Sequence, residues 1–536
     1  MTKKKPATTG KTTSQKEPWT EQAASFIGFF IYLLVLKSFF LPLFIIPTGS
    51  EAPTLLGEHA LNACPNCGIE YAVNWTRPGP SGHPQIVQCP NCRWQQFSNP
   101  PHAMARGLAP DEILTHRLRP SAGDRIFVHG WNFAKPWRDM DGFGPQRWDT
   151  IVFKVPRDGQ TNYIKRLIGL PNEKIELIDG DLFVNDKVAQ KTSDAQRPLW
   201  FPYYNHDYPP QRSSVRANYH PRWVALNDQS PWQGLDTRVA RFDGLAQPRG
   251  TIQLRTDPHD PTKPARIEDI YGYSDPRIGL HRVRDVRLSA EVAINAAGDD
   301  GYVELSLSNE QHHFFAQLHP DGLLLLQHAL DGEPQRETWG RHNLPQLDSP
   351  VRLALAHIDG IVRVEINGAP EPALASTAEQ YAFTPAVARI RSNWRQSPDI
   401  CIAAEHVRAT FRHLLIERDV HYTNAGRQAN ASGYGIQGHP IQLGHDDYFA
   451  LGDNSPNSQD SRYSFARPDA NPVGPHLSAA AERGHYQLGT VPGDQIIGRA
   501  FLVYWPGSLP LLSEDAQPHL LGRLPLPDLG RIRWIR

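Results

Sequence analysis

Residues 149–155 read DTIVFKV, and after a polar loop residues 163–170 read YIKRLIGL. Apolar and β-branched residues dominate both stretches, and turn-forming residues bound them, which is typical of β-strands. The stretch GDRIFV at 123–128 has the same character, and residues 174–185 contain Asp179-Gly180, a dipeptide that favours a tight hairpin turn. These segments predict a strand-rich domain, so we expect the folded part of the chain to be mainly β.

The composition is that of a globular protein with several domains. The chain has 536 residues, more than one hydrophobic core normally serves, so two or three domains are expected. Its 48 prolines and the scarcity of helix-favouring runs favour strands and loops. The formal net charge of -1 gives no electrostatic reason to expect nucleic acid as a partner.

A long apolar segment follows a lysine-rich amino terminus. Residues 1–22 contain five lysines, and residues 23–46 read AASFIGFFIYLLVLKSFFLPLFII. About 20 apolar residues cross the roughly 30 Å of a bilayer core, and lysines concentrate on its cytoplasmic side. We therefore predict a single-pass transmembrane helix in the cytoplasmic (inner) membrane, with the amino terminus inside and everything after Ile46 on the outer or periplasmic face. Pro42 is expected to end this helix. A cleaved secretory signal is the alternative, but its apolar core is normally only about 7–15 residues long.

Alternating segments at 245–418 predict a second β domain. They include VRLSAEVAI, YVELSLS and VRLALAHIDGIVRVEING, and turn residues separate them, as in antiparallel β-sandwiches. The strand pattern resembles that of concanavalin-like and laminin-G-like sandwiches. A spacer role and the binding of a carbohydrate or envelope component both stay open. Trp200, Trp223 and Trp232 precede this domain in a stretch that reads as an irregular connector, where they could stack on a ligand or pack in a core.

Four of the five cysteines form two matched pairs. Cys64-Pro-Asn-Cys67 and Cys89-Pro-Asn-Cys92 are separated by 21 residues, a spacing typical of zinc ribbons, in which four thiolates share one tetrahedral ion. We predict that Cys64, Cys67, Cys89 and Cys92 form a structural zinc site in an insert at 57–100, and that catalysis needs no cofactor. Two disulfides or free dithiols are the alternative, because oxidation is possible outside the cytoplasm.

Ser50 and Lys165 are the residues from which chemistry is expected. A serine hydroxyl becomes a good nucleophile when a base removes its proton, and lysine can be that base only in its uncharged form. The ordinary lysine pKa is about 10.4, and burial in apolar surroundings lowers such a pKa. Lys165 lies in an apolar strand, but 115 residues separate it from Ser50, so spacing alone does not bring the two together.

Five sequence blocks in a fixed order supply that context. Residues 44–55, FIIPTGSEAPTL, resemble the signature Ile-Pro-Ser-Gly-Ser-Met-x-Pro-Thr-Leu that follows the membrane segment of type I signal peptidases. The other blocks resemble the same family in the same order: GDRIFV at 123–128, DTIVF and YIKRLIGLP within 149–171, GDNSPNSQDSR at 452–462, and VP and IGRA within 491–500. The resemblance implies a membrane-bound serine endopeptidase that cleaves signal peptides from exported preproteins after small residues of the Ala-x-Ala type.

The resemblance also implies a Ser/Lys dyad. Ser50 would attack the scissile carbonyl, and Lys165 would take its proton and return it to the leaving amine. The backbone amide of Ser50 and the hydroxyl of Thr48 would stabilise the oxyanion; many family members have serine in place of Thr48. Ser458 would hydrogen-bond Lys165 and orient it.

The remaining matched positions would support the site. Asp460 and Arg462 would form an ion pair, and Phe44 and Ile46 would line the pockets for small substrate residues. Glu51 departs from the family, which usually has methionine there. A carboxylate at this position would favour the charged form of the neighbouring lysine or weaken membrane association.

Two other functions stay open. One is a membrane-anchored, lectin-like binding protein on an inactive protease scaffold, and the other is a Ser/Lys peptidase that processes itself or a few partners. The predicted partners are signal peptides of preproteins and membrane lipid. The predicted division of the chain is a basic cytoplasmic tail (1–22), an anchor (23–46), a catalytic domain (47–56, 101–200 and 430–510), a zinc-ribbon-like insert (57–100), a β-sandwich insert (245–418) and a carboxyl-terminal tail (511–536).

Overall fold

The structure is a computed structural model. It describes residues 19–35, 37, 41–75, 86–97, 108, 112–114, 120–130, 140, 143–211, 221–227, 229–246, 249–255, 266–273, 281–333, 335–345, 347, 349–393, 398–423, 433–465, 474, 476–477, 486–509, 526–527 and 529–535. The described part of the chain is mainly β, as predicted. Its α-helices are α1 (Trp19–Val35), α2 (Ser193–Gln196) and α3 (Pro385–Ser392).

Helix α1 covers only the first part of the predicted membrane anchor. After Pro42, which cannot continue a helix because it lacks a backbone N–H, the chain becomes extended, and Leu43–Ile45 form a strand. The last residues of the segment predicted as an anchor at 23–46 are therefore extended, and the anchor itself stays a prediction. Among the helices that the structure describes, none has both the length and the apolar character needed to cross a membrane. Residues 1–18 of the predicted basic tail lie outside the described residues.

In chain order, the strands of the described residues form three sets: those before the β-sandwich, those of the β-sandwich and those after it. The first comprises β1 (Leu43–Ile45), β2 (His59–Ala63), β3 (Glu70–Asn74), β4 (Ile86–Gln88), β5 (Gln95–Phe97), β6 (Pro120–Ser121), β7 (Arg125–His129), β8 (Thr150–Lys154), β9 (Asn162–Gly169), β10 (Lys174–Ile178), β11 (Asp181–Val184) and β12 (Lys187–Val188). The second comprises β13 (Phe201–Asn205), β14 (Trp223–Ala225), β15 (Trp232–Gln233), β16 (Val239–Asp243), β17 (Gly250–Leu254), β18 (Val286–Asn309), β19 (His312–Leu318), β20 (Leu323–Leu330), β21 (Glu337–Asn343), β22 (Val351–Ile358), β23 (Ile361–Ile366), β24 (Ala369–Ala375) and β25 (Ile400–Arg418). The third comprises β26 (Ile441–Gln442), β27 (Asp447–Leu451), β28 (Val491–Pro492), β29 (Ile496–Trp505), β30 (Ser508–Leu509), β31 (Leu526–Pro527) and β32 (Arg533–Trp534).

An eight-stranded antiparallel sheet carries the candidate catalytic residues. Its strand order is β1-β7-β29-β8-β9-β27-β28, and β32 pairs with β29. Because β9 lies between β8 and β27, burial along β9 is continuous from Lys165 to Gly169. A four-stranded sheet, β12-β11-β10-β26, shares a hydrophobic core with this one through Ile168, Ile175 and Phe449.

The carboxyl-terminal segment, for which sequence analysis predicted no role, contributes to this sheet. Strand β32 pairs with β29 through Leu502 and Trp534. The guanidinium of Arg531 contacts both carboxylate oxygens of Asp124, at 3.0 and 3.1 Å. Asp124 is fully buried and also accepts a 3.0 Å bond from the backbone of Leu56. The segment therefore helps to fix the stretch that follows Ser50.

The β-sandwich is larger than predicted. Its two longest strands, β18 with 24 residues and β25 with 19, pair along most of their lengths. Strands β13, β16 and β17 also pair with β25, so the domain begins at Phe201 and not at residue 245. The strands before residue 245, β13 to β16, are only two to five residues long, at or below the lower end of the range in which period-two alternation can be read. Trp200, Trp223 and Trp232 are 6%, 0% and 7% exposed, so they pack inside the protein and are not free to stack on a ligand.

Candidate active site

Strand β9 places Lys165 in the interior of the sheet, opposite Ile151 of β8. The side chain is only 3% exposed. Its amine nitrogen (Nζ) lies 2.6 Å from Ser50 Oγ and 2.7 Å from the carbonyl oxygen of Ile164. The same nitrogen is 3.4 Å from Glu51 Oε1. The sheet thus directs one buried amine at one serine hydroxyl.

Ser50 lies in a 3-10 turn, Gly49–Glu51, that follows β1. Asn454 holds this turn twice, because its backbone N–H donates to Ser50 O at 3.0 Å and its side-chain amide donates to Gly49 O at 2.8 Å. Gly452 is so close that a Cβ there would lie 2.6 Å from Ser50 O. The loop at 452–454 therefore fixes the backbone of the nucleophile turn. Asn454 belongs to the GDNSPNSQDSR block at 452–462, from which no role for it was predicted.

The two side chains differ in their access to solvent, and this suits a nucleophile and a base. Ser50 is partly exposed, so a peptide can approach its hydroxyl. Lys165 is shielded from water, because its side chain is buried in the sheet. A hydroxyl within hydrogen-bond distance of such an amine can lose its proton as it attacks a carbonyl carbon.

Glu51, the residue that departs from the family pattern, lies inside the site. It is fully buried, and its Oε2 atom has no hydrogen-bond partner within the described part of the chain. Burial raises the pKa of the Glu51 carboxyl well above its usual range, and the nearby Lys165 partly opposes that shift. Glu51 and Lys165 therefore form a buried carboxyl–amine pair.

A second buried pair lies one residue further along β9. Arg166 Nε donates to Asp453 Oδ1 at 2.8 Å and Arg166 Nη2 donates to Asp453 Oδ2 at 2.7 Å, with both side chains at 0% exposure. Arg166 Nη1 also donates to Trp148 O at 2.7 Å. Both residues stand in blocks that sequence analysis had quoted, but their contact joins positions 287 residues apart and no local pattern indicates it.

Asp460 and Arg462 form the ion pair that the family resemblance implied. Arg462 Nη2 lies 2.7 Å from Asp460 Oδ2, and both side chains are 0% exposed. Arg462 also donates to Ser455 Oγ at 2.7 Å and to Thr423 O at 2.5 Å. Asp460 Oδ2 accepts a bond from the Gly452 backbone at 3.1 Å. The pair therefore shapes the loop that holds the nucleophile turn, and it does not reach the reacting atoms.

The hydrogen bond predicted between Ser458 and Lys165 is not present. Ser458 is buried, and its Oγ has no hydrogen-bond partner among the described residues. Its hydroxyl points at the loop backbone, because a Cβ on Gly452 would lie 2.3 Å from Ser458 Oγ. Lys165 instead contacts Ser50, Ile164 and Glu51. The predicted contact is therefore absent in this structure, because Lys165 Nζ already has these three partners.

The remaining predicted site residues differ in accessibility. Thr48 is exposed and precedes the turn, and its side chain makes no capping bond there. Phe44 is half-buried. Ile46 is 2% exposed and packs with Leu55 and Ile126 in the core, so its side chain does not line an open pocket. Of the two residues predicted to line substrate pockets, only Phe44 is accessible.

The four paired cysteines lie together although the chain separates them. Their Sγ atoms are all within 4.8 Å of one another, and all four residues are buried. Cys64 Sγ is 3.5 Å from Cys92 Sγ, and Cys67 Sγ is 3.7 Å from Cys89 Sγ. Four thiol groups at these separations can surround one tetrahedral metal ion.

A second group of potential metal ligands is better explained by ion pairs. Oxygens of Asp181, Asp285 and Asp359 also lie within 4.8 Å of one another in a buried position. Each has a cationic or imidazole neighbour, and the contacts are Asp181 with Arg391, Asp285 with His357 at 3.0 Å, and Asp359 with Lys191 at 2.5 Å. The cluster joins the β10–β11 hairpin to the sandwich, so we assign it a structural role.

Comparison with solved structures gives weak, lectin-like similarities. The chain is similar to a carbohydrate-binding module, CBM66 from Bacillus subtilis, with a TM-score of 0.23 and 10% identity, over 37% of this chain and 95% of the other. It is also similar to the galectin LEC-6 of Caenorhabditis elegans, with a TM-score of 0.17 and 15% identity, over 25% of this chain and 83% of the other. These scores are too low to carry an argument about ligands.

Comparison with protein families and curated proteins gives matches to signal peptidases over part of the chain. The family model described as "Signal peptidase, peptidase S26" matches residues 95–220 and 389–505, which include Lys165 and the loop at 452–462 but not Ser50. Signal peptidase I of Rickettsia typhi and of Rickettsia prowazekii are each 52% identical to this chain over 48 residues, which is 9% of this chain. The match spans 18% of the length of these relatives. The family match and the curated relatives together support type I signal peptidase as the class of protein to which the matched segments of this chain are related.

Proposed function

We propose that this chain is a membrane-bound serine endopeptidase that cleaves signal peptides from exported preproteins after small residues. The 2.6 Å contact between Ser50 Oγ and the buried Lys165 Nζ carries this proposal. The peptidase S26 match supports the same class of reaction. The experiment that tests it is cleavage, by the purified full-length protein in detergent, of a peptide with alanine at P1 and P3.

In the proposed mechanism Ser50 attacks the scissile carbonyl while its proton moves to Lys165 Nζ. The resulting oxyanion is stabilised by the Ser50 backbone N–H and the Thr48 hydroxyl. Lys165 then gives its proton to the leaving amine, and a water molecule deprotonated by the same amine releases the acyl group. Oxyanion donors of this kind typically lower the barrier by about 2.7–4 kcal/mol each.

The proposal includes attachment to the membrane through the apolar segment that contains α1. Phe26, Ile31 and Leu34 of α1 are 66%, 57% and 59% exposed. Such a density of exposed apolar side chains marks an interaction surface. Ile45 of β1 and Trp534 of β32 are also exposed apolar residues, at 58% and 65%. Lipid chains are the proposed occupant of this surface.

We expect the chain to stay with the membrane fraction after extraction with alkaline carbonate. Replacing both Phe30 and Leu33 with aspartate should move it into the supernatant, because each aspartate at the centre of a membrane helix costs about 2.5–3.5 kcal/mol. Ile390→Asp is the matched control, since Ile390 is an apolar residue of α3 that is 60% exposed. Release of the unmodified chain by carbonate would contradict the anchor.

Glu51→Gln is expected to extend activity to lower pH. The carboxylate lies 3.4 Å from Lys165 Nζ and favours the protonated amine, which cannot act as a base. Without the carboxylate that attraction is lost, so the acidic limb of the kcat/KM profile should move to lower pH. Glu58→Gln, in the same segment, is the control and should leave the profile unchanged. An unchanged profile in Glu51→Gln would mean that Glu51 is already uncharged throughout the working range.

Glu51 also bears on the alternative of a lectin-like binding protein on an inactive scaffold. If the Glu51–Lys165 pair kept the amine charged at every pH, the chain would bind but not cleave. A narrow-specificity peptidase would instead cut a few partners and leave the alanine peptide intact. A carbohydrate or envelope ligand of the sandwich stays a hypothesis.

A further inference from the structure

The two cysteine pairs adopt the same local geometry. The carbonyl of Cys64 accepts from the Gly68 N–H at 2.9 Å, and the carbonyl of Cys89 accepts from the Arg93 N–H at 3.1 Å. Gly68 and Arg93 both have positive φ, 78° and 64°, which closes each turn in the same way. The Cys92 N–H donates to Cys89 Sγ at 3.5 Å. Two equivalent turns thus present four sulfurs to one point.

The sulfur separations match a metal site better than disulfides. A tetrahedral ion with metal–sulfur distances of about 2.3 Å has sulfurs about 3.8 Å apart, whereas a disulfide needs about 2.05 Å. The measured separations are 3.5 and 3.7 Å. Four thiolates select a borderline-soft ion such as zinc. We propose that Cys64, Cys67, Cys89 and Cys92 hold one zinc-class cation, and that this ion keeps the nucleophile turn in place through the segment Tyr271–Gly272–Tyr273.

The second cysteine turn packs directly on that segment. A Cβ on Gly272 would lie 2.8 Å from Pro90 Cδ, between Cys89 and Cys92, so the turn and the segment are in close contact. On one side of Gly272, the Tyr271 hydroxyl donates to Asp453 O at 2.8 Å, within the loop that holds Ser50. On the other side, the Tyr273 ring covers Gly49, where a Cβ would lie 1.9 Å from Tyr273 Cε1.

The first cysteine turn reaches the same place through the β2–β3 hairpin. The N–H of Asn74, at the end of β3, donates to Tyr273 O at 3.1 Å. The Tyr273 hydroxyl donates to Glu58 O at 3.1 Å, immediately before β2. The Glu58 N–H in turn donates to Pro47 O at 3.3 Å. Tyr273 is therefore held by the insert, contacts Gly49 directly and is connected to Pro47 through the backbone of Glu58.

Metal binding orders both turns at once, because the ion links sequence segments that nothing else ties covalently. Loss of the ion would free Pro90 and β3, and the Tyr273 ring would no longer be pressed on Gly49. Tyr273 is a positioning residue, since it contacts no reacting atom. The effect on cleavage rests on the proposed function, whereas the metal site and the order of the turn do not.

The proposed metal site is tested by metal analysis of the full-length protein. We expect about one zinc per chain, as for a four-thiolate structural site, and loss of that zinc in the double variant Cys64→Ser/Cys67→Ser. Cobalt substitution should give the absorption of tetrahedral cobalt thiolate. Cys401→Ser is the matched control, because Cys401 lies in β25 away from the cluster, and it should keep its zinc. Absence of zinc, or recovery of the four sulfurs as disulfides, would overturn the site.

The proposed effect of the ion on the nucleophile turn is tested by hydrogen exchange of the backbone amides of residues 46–58. Removing zinc with a chelator should speed this exchange about tenfold, as local unfolding does, and zinc should restore it while β18 and β25 stay unchanged. Tyr273→Ala should speed the same exchange with zinc still bound, whereas Tyr273→Phe, which keeps the ring, should behave nearly as the unmodified chain.

In the peptide assay Tyr273→Ala should lower kcat by about tenfold with little change in KM, because a small displacement of a reacting group costs one to two orders of magnitude. Unchanged exchange and kcat in zinc-loaded Tyr273→Ala would overturn the coupling. If the unmodified chain cleaves nothing, the proposed function fails, while zinc content and exchange still decide this inference.

Discussion

Ser50→Ala is expected to lower kcat/KM for the alanine peptide by a factor on the order of 10⁴–10⁶, because loss of the nucleophile removes the covalent route. Lys165→Met should have an effect of similar size, since Ser50 Oγ then has no base at 2.6 Å. The two losses should not add in the double variant, because both residues serve one step. Cleavage is measured by separation of the two product peptides.

Methionine at position 165 keeps the volume and apolar character of a site that is 3% exposed, so the fold should be retained. Lys154→Met is the matched control, because Lys154 lies at the exposed end of β8 and should leave cleavage unchanged. Thermal unfolding of each variant checks that the protein is intact. Equal cleavage by the unmodified chain and by Ser50→Ala or Lys165→Met would contradict the Ser/Lys mechanism.

Asp453→Ala is expected to destabilise the catalytic domain by about 3–5 kcal/mol, because it leaves the Arg166 guanidinium charged and buried without its partner. The pair is 0% exposed on both sides and makes two parallel bonds of 2.7 and 2.8 Å. Urea titration of the full-length protein should therefore show a lower midpoint for the transition of this domain. The double variant Arg166→Met/Asp453→Leu should lose less than the single one, since no unpaired charge remains.

A surface ion pair in the same domain is the control. Lys174 and Asp186 lie 2.8 Å apart with side-chain exposures of 37% and 61%. Asp186→Ala should cost only about 0–1 kcal/mol, because water screens exposed charges. A loss in Asp453→Ala no larger than in Asp186→Ala would contradict a stabilising role for the buried pair.

Features encoded in short, continuous stretches were predicted from sequence. The apolar runs around Lys165 and Ile151 became neighbouring strands, because β-branched and apolar residues favour a buried sheet. The spacing of the cysteine pairs predicted that their four thiols lie together, because two matched turns with four thiols are typical of a shared metal site. The sequence blocks also named Ser50 and Lys165, which lie within hydrogen-bond distance.

Other features depend on packing between segments that are distant in the chain. Strands β13 and β16 lie in the stretch that reads as an irregular connector, and they become strands because β25 supplies their partner. Strand β32 pairs with β29 in the eight-stranded sheet, and Arg531, just before β32, contacts the buried carboxylate of Asp124. The direction of the Ser458 hydroxyl, which the family resemblance placed on Lys165, follows from the path of the loop backbone.

By itself the sequence determined the mainly β character, the residues of the Ser/Lys pair, the four clustered cysteines and the apolar amino-terminal segment, since each is written in local composition and spacing. Only the tertiary structure decided that Glu51 lies buried beside Lys165, that Asp453 pairs with Arg166, and that Tyr273 connects the cysteine turns to Gly49. Such contacts join residues more than a hundred positions apart, and their geometry arises from how the sheets and loops pack, which no local pattern records.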